Sequence, residues 1–169
     1  KVVYYAHSTM EDFRRSFPGS NWFAPLFKRW IKWCYQMGDV IITPTDYSRS
    51  LLLEYGIQKP IYSLTNGVDT EFFAPSEARR KAFRKRYGLS ERDQAVISAG
   101  HTIERKGILD YIALARQMPQ VRFFWFGYTP AYLVPKVVRR AMAEAPGNLS
   151  FAGYISQEEL RDAYCGADV

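Results

Sequence analysis

Six short apolar runs alternating with helical patterns predict an α/β chain built on parallel, doubly wound sheets. Two further observations point to the same class. Most of the runs are continuously apolar, as strands covered on both faces are. Three of them also run out into a glycine, at Gly100, Gly127 and Gly153. With 169 residues and 47% hydrophobic composition, the chain can bury a sizeable core, which excludes disorder.

Taken in order, the first strand is expected over residues 2–6 and a helix over 23–37. A strand follows over 40–43, then a helix over 45–55 closed by Gly56, and a strand over 61–64. Residues 66–75 are non-periodic, with Asn66-Gly67 signalling a turn and Pro75 closing the stretch, so they mark the expected boundary between two partial α/β units. The second unit continues with a helix over 76–87 closed by Gly88 and strands over 95–99, 121–126 and 149–151. Ser156-Gln157-Glu158-Glu159 spells a capping box that opens the last helix. The apolar opening at Lys1 and the close at Cys165-Gly166-Ala167-Asp168-Val169 both read as interrupted elements, so an internal fragment is expected.

The balance of 23 Lys and Arg against 17 Asp and Glu gives +6, which favours anionic partners without choosing among nucleic acid, phosphosugar and lipid. Two cysteines, Cys34 and Cys165, indicate neither a zinc site nor a disulfide framework, and a reducing, cytosolic setting is expected. No run of 18 apolar residues occurs, and no HExxH, GxSxG or Walker pattern is present.

The stretch Gly100-His101-Thr102-Ile103-Glu104-Arg105-Lys106-Gly107 stands where a strand gives way to a helix. A helix start offers unpaired N–H groups and the positive end of the peptide dipoles, so Arg105 and Lys106 there make a phosphate site. The alternative is an ordinary turn with two solvated cations. Ligands of open α/β sheets bind beyond the carboxyl ends of the strands, so Gly127 and Gly153 are expected to line one crevice with Gly100, and Tyr154 or its backbone to pack on a base. His7 and His101, the only histidines, both fall at strand ends, where each reads either as a ligand to substrate or as a structural hydrogen bonder.

Two basic stretches have two readings each. In residues 23–37, Phe23, Leu26, Phe27, Trp30, Trp33 and Cys34 share one helix face, flanked by Lys28, Arg29 and Lys32. That face packs on the sheet, or its surplus of aromatics lies on an anionic bilayer. In residues 79–87, six cations form a solvated face over an inward Phe83 and Tyr87, or they attract phosphate. No nucleic-acid-binding signature supports a nucleic-acid partner.

Several motifs together resemble the retaining family 4 glycosyltransferases, whose GT-B fold sets two Rossmann-like domains across a cleft. Asn66-Gly67-Val68-Asp69 with Phe72, Phe73 and Pro75 is similar to that family's interdomain segment, and residues 100–107 resemble its GRxxxxKG donor-phosphate motif, with His101 where arginine is usual. Leu160-Arg161-Asp162-Ala163-Tyr164 with Ala167-Asp168-Val169 resembles the stretch before its acidic motif, and residues 6–14 and 17–21 look most like bacterial glycolipid synthases that act on diacylglycerol. The resemblance implies residues 1–65 as the later part of the acceptor-side domain, 66–75 as the interdomain segment and 76–169 as the first part of the nucleotide-sugar domain.

It further implies His7 as a catalytic-site residue near the reacting sugar, and Lys106 with Arg105 and Gly100 on the donor diphosphate. Gly127, Gly153, Tyr154 and Ile155 fall beside the nucleobase, and Lys28, Arg29, Trp30, Lys32 and Trp33 at the membrane. The implied activity is hexose transfer with retention from a nucleotide sugar, UDP-glucose or UDP-galactose, to a diacylglycerol-type lipid. It needs no metal and no cofactor, and takes place at the inner face of the cell membrane. Another acceptor such as a polysaccharide precursor, or a non-catalytic nucleotide-binding module, is the alternative.

Overall fold

The computed structural model describes residues 1–14 and 16–169. The chain divides into two compact units, Lys1–Val68 and Asp69–Val169. Unit 1 runs β1 (Val3–Tyr5), α1 (Met10–Phe13), α2 (Ser20–Gln36), β2 (Val40–Thr43), α3 (Asp46–Glu54) and β3 (Ile61–Ser63). Its strands are parallel in the order β1-β2-β3, and Tyr4, Ile41 and Ile61 fall in register on one face. Against that face α2 supplies Ile31 and Tyr35, and α3 supplies Leu51 and Leu52. The Thr45 hydroxyl accepts from Ser48 N–H and caps α3, as a threonine at that position should.

Two details of unit 1 are settled by the structure within the described residues. Successive strand residues point to opposite faces, and only the Tyr4–Ile41–Ile61 face is covered. Val3, Tyr5, Tyr62 and Leu64, which alternate with it, are all at least half exposed. Helix α2 also packs by a different face from the one its aromatics define. Ser20, Ala24, Ile31 and Tyr35 are buried and Phe27 and Cys34 half-buried, whereas Phe23, Leu26, Trp30 and Trp33 stand in solvent. The buried row begins with two small side chains, which let the helix approach closely, and the bulky row is left outside.

Unit 2 runs α4 (Glu77–Arg86), β4 (Ala95–Ala99), a 3-10 turn (Glu104–Lys106), α5 (Ile108–Gln117), β5 (Arg122–Phe126), α6 (Lys136–Ala143), β6 (Leu149–Gly153) and α7 (Gln157–Gly166). The strands are parallel in the order β4-β5-β6. Here the prediction of a doubly covered sheet holds. From β5, Phe123 and Trp125 enter a core with Ile108, Ile112 and Val138 on one side, and Phe124 and Phe126 enter another with Phe83 and Ala163 on the other. The capping box at Ser156 and Glu159 forms in full. Beyond α7, Asp168 N–H donates to Ala95 O and Ile97 N–H to Val169 O, so the chain runs along the outer edge of β4.

In the basic run on α4, Lys81, Lys85 and Arg86 stand in solvent over a buried Phe83 as expected, and Arg84 departs from that face. Arg84 is 2% exposed, and its guanidinium donates to the carbonyls of Ser90, Asp93 and Gly166 and to the Asp168 carboxylate. Arg80 bonds the same carboxylate, and Arg86 bonds Glu159. Burial would raise the Asp168 carboxyl, but the Ala95 N–H, Arg80 and Arg84 outweigh it and hold the group below the usual carboxylate range. With four internal acceptors, Arg84 is taken up by the fold of unit 2.

Candidate donor-phosphate site and the His7 loop

The carboxyl ends of β4, β5 and β6 are stitched together by glycine backbone. Gly100 N–H donates to Phe126 O at 2.8 Å and Gly127 N–H to Gly153 O at 2.7 Å. Gly127 has φ +130°, and a Cβ placed there would lie 2.1 Å from Gly100 O, so only glycine allows the two strand ends to approach this closely. The carbonyl of Gly100 is fixed from below by the indole N–H of the buried Trp125, at 3.0 Å. A tryptophan buried in a central strand needs a partner for that N–H, and here the partner is the loop that begins the site.

From Gly100 the chain turns into the 3-10 helix that carries Arg105 and Lys106. The cations therefore precede the α-helix rather than sit in its first turn. Gly107, with φ +75°, directly follows Lys106 and is the N-cap of α5, which starts at Ile108. The aliphatic stem of Lys106 lies over Gly100, within 3.5 Å of where a Cβ would stand. An exposed cation, a bare glycine backbone and the N-terminal end of α5 are thus close in the chain, the ingredients of an anion site.

His101 faces the neighbouring loop. Its Nδ1 is 3.0 Å from Tyr128 O and 3.5 Å from Thr129 Oγ1, and the Thr129 hydroxyl also accepts from Thr102 N–H at 2.9 Å. Thr102 and Thr129 are buried, so the 100–107 loop is clamped onto the segment after β5. Behind that clamp opens a cavity of about 290 Å³ lined by Gly127, Thr129, Val134, Met142, Phe151 and Gly153. It is mostly apolar and of a size to take a flat heterocycle. The expected base-side residues separate here. Gly127 and Gly153 line the cavity, Tyr154 is 83% exposed outside it, and the Ile155 side chain packs into the core with Phe83 and Phe126.

In unit 1, His7 follows β1, exposed, with its ring stacked on Tyr5 at 5.8 Å between centroids. The loop that bears it is anchored by residues that spacing does not reveal. Tyr35 of α2 donates to Ser8 O at 3.0 Å. Tyr55 accepts from Met10 N–H at 2.9 Å and donates to the Glu11 carboxylate. Burial, then the Glu11 hydrogen bond, raises the Tyr55 phenol far above its ordinary value, so it stays a donor throughout the neutral range. Phe13 stacks on Phe27 at 4.2 Å.

The outer side of α2 carries Trp22, Phe23, Leu26, Trp30, Trp33 and Met37, all more than half exposed. At the helical repeat they fall within an arc of about 100°. Arg29 borders this stripe in solvent, but two of the three expected flanking cations turn the other way. The Lys28 ammonium sits 4.3 Å over the Tyr55 ring, and the Lys32 ammonium lies beside Gly56. Stems of that length cover apolar surface when a ring is in reach. Among the described residues no helix is long and apolar enough to cross a membrane.

These features define a fold class, two parallel α/β units with loops beyond the carboxyl ends of the strands, the architecture of the GT-B fold. The HepE protein of Anabaena, crystallised with UDP and glucose, superposes with a TM-score of 0.70 at 18% identity over 98% of this chain and 44% of that one. Residues 1–72 match the model of Glycosyltransferase Family 4. The processive diacylglycerol alpha-glucosyltransferase of Acholeplasma laidlawii is 37% identical over 168 residues, which take in 99% of this chain and 51% of that protein. The alpha-galactosylglucosyldiacylglycerol synthase of Streptococcus pneumoniae is 39% identical over 88 residues, 48% of this chain and 23% of that protein. The chain spans about half the length of the first of these relatives and less of the second.

Proposed function

We propose that the full-length protein transfers a hexose from a nucleotide sugar, UDP-glucose or UDP-galactose, to a diacylglycerol-type lipid with retention at the anomeric carbon. It works as a peripheral protein on the inner face of the cell membrane. The observation that carries the lipid part is the exposed tryptophan stripe of α2, on a chain 37% identical to a protein named for glucosylating diacylglycerol. Tryptophans standing in water on one helix face suit the interface of a bilayer, where an apolar body and a polar N–H are both satisfied.

In this reading the departing nucleoside diphosphate is the chemical problem. Charge grows on its oxygens as the glycosidic bond breaks, and a cation already in place stabilises that charge without reorganising. Lys106 supplies it, with Arg105 and the N–H groups at the start of α5. These side chains do the work that a divalent metal does elsewhere, so EDTA should leave turnover unchanged. The base occupies the cavity bounded by Gly127 and Gly153, with Tyr154 and the Ile155 backbone at its mouth. His7 stands on the acceptor side, near the reacting sugar.

The deciding assay offers the full-length protein UDP-glucose, UDP-galactose and GDP-mannose, each with diacylglycerol and with its monoglycosyl form in mixed vesicles. A labelled glycolipid from one UDP-sugar, with an α linkage by NMR, is the expected product. Transfer only to a water-soluble acceptor would overturn the lipid reading.

A further inference from the structure

His7 stands between two held stretches of backbone. On its N-terminal side, Ala6 N–H donates to Ile42 O at 2.8 Å and ties the end of β1 to β2. Beyond it the chain leaves the sheet, and two phenols from the helices hold it instead. Tyr35 donates to Ser8 O at 3.0 Å, one residue after the histidine, and Tyr55 accepts from Met10 N–H at 2.9 Å, three residues after it. Met10 opens α1, and the N–H groups in the first turn of a helix have no partner within it. The capping hydroxyl of Thr9 serves Asp12 N–H, so the Met10 N–H is met from outside, by a side chain 45 residues away.

The direction of the Tyr55 hydrogen bonds is fixed. Its oxygen receives Met10 N–H, so its single proton goes to the Glu11 carboxylate, and one hydroxyl holds two successive residues of α1. The ring is locked in turn. Tyr55 is 4% exposed, closes α3 as its C-cap, and carries the Lys28 ammonium 4.3 Å above its centroid. A single tie at Ser8 would fix a point and leave the segment free to swing about it. The second tie, two residues on, fixes its direction.

We infer that Tyr55 is a positioning residue for His7, its hydroxyl setting the path of the chain after β1 through Met10 and Glu11, so that turnover depends on a phenol buried in the core of unit 1. This rests on the reading of His7 as an acceptor-side residue near the reacting sugar, and adds what aims it. Loss of the hydroxyl leaves a partly buried N–H and a carboxylate without their partner, so the segment relaxes and His7 moves with it. A shift on the order of 1 Å at a reacting group is enough for a large loss of rate.

The test is steady-state kinetics of the full-length protein with the UDP-sugar and vesicle-borne lipid that give product. Tyr55→Phe keeps the ring, its burial and the Lys28 contact and removes only the hydroxyl. Its kcat is expected to fall about tenfold, with KM for the UDP-sugar within about twofold of the parent. Glu11→Ala should lose rate in the same way, and Glu11→Gln, which keeps an acceptor for the phenol proton, should recover most of it. Added to His7→Ala, Tyr55→Phe should lower the residual rate no further, because the hydroxyl acts through the histidine. Hydrogen exchange of residues 8–13 should quicken in Tyr55→Phe while α2 and α3 exchange as in the parent. Parent-like kcat in Tyr55→Phe beside a crippled His7→Ala overturns the inference and leaves the reading of His7 standing. The same follows if the tenfold loss recurs on the His7→Ala background, or if exchange quickens throughout unit 1, which would make Tyr55 a packing residue. Undiminished turnover in His7→Ala overturns the reading of His7 and the inference with it.

Discussion

The two units use the same parallel motif and spend their aromatic residues in opposite places. In unit 2, Phe123, Phe124, Trp125 and Phe126 are consecutive, all buried, and divided between the two faces of one strand. In unit 1, Trp22, Trp30 and Trp33 stand in solvent, and Tyr5 and Tyr62 project from an uncovered sheet face. A ring inside a core is worth about 3–5 kcal/mol on truncation to alanine. An exposed ring contributes little to stability and much to association with whatever covers it. Within the described residues, unit 2 thus holds its aromatics in two cores and unit 1 leaves several of its own exposed. In both units a buried aromatic with a polar tip reaches from the core to a loop beyond a strand, Trp125 to Gly100 and Tyr35 and Tyr55 to the loop after His7.

The sharpest break in this comparison is expected at Lys106. Lys106→Ala in the full-length enzyme should lower turnover by roughly 10²–10³, the effect of removing one preorganised group from developing charge. Circular dichroism should be unchanged, because the side chain lies on the surface of unit 2. Turnover within twofold of the parent would end its assignment to the diphosphate.

Next in size is Gly127→Ala. The added methyl would overlap Gly100 O at a site with positive φ, so the strand ends must separate, at a cost of about 2–4 kcal/mol. Thermal unfolding of unit 2 should shift down by several degrees, and nucleotide-sugar affinity should fall with it. A variant as stable as the parent would mean that the close approach is not needed.

The complementary change in unit 1 is Trp30→Ser with Trp33→Ser. Sedimentation with anionic vesicles should drop about tenfold or more, at unchanged melting temperature. Equal loss of stability would show instead that the stripe is packed.

The smallest effect concerns acid stability. The Asp168 carboxyl is held below the ordinary range, so its contribution is full at pH above the unfolded-state value of about 4 and is lost as pH falls through the folded one. Asp168→Asn should therefore be less stable than the parent at neutral pH, and the gap should close in acid. A gap independent of pH would place the effect in packing rather than in charge.

Element types and most of their limits were legible because periodicity and caps act locally. Gly56 and Gly88 follow helices, Thr45 and Ser156 cap them, and β2 and β4 fall where their apolar runs do. What could not be read was which face of an element is used. On α2 the most hydrophobic arc is outside, because the inward row is chosen by fit, with Ser20 and Ala24 small enough for close contact. On α4 the sequence shows charges but not that Arg84 meets four acceptors brought together by residues 90–93 and 166–168. At the candidate site, Gly100, Gly127, Gly153 and Lys106 were visible from their positions after strands. Trp125, Thr129, Tyr35 and Tyr55 were not, since each serves the site through a contact distant in sequence.

The Arg84 clamp also makes the packing of unit 2 depend on parts of the chain far apart in sequence. Arg84 on α4 meets the Gly166 carbonyl and the Asp168 carboxylate across separations of 82 and 84 residues. Without residues 166–168 it would be a buried cation lacking its carboxylate, and β4 would lack the chain that pairs with its outer edge. One guanidinium thereby ties the first helix of unit 2 to the segment beyond α7, so that neither is held without the other.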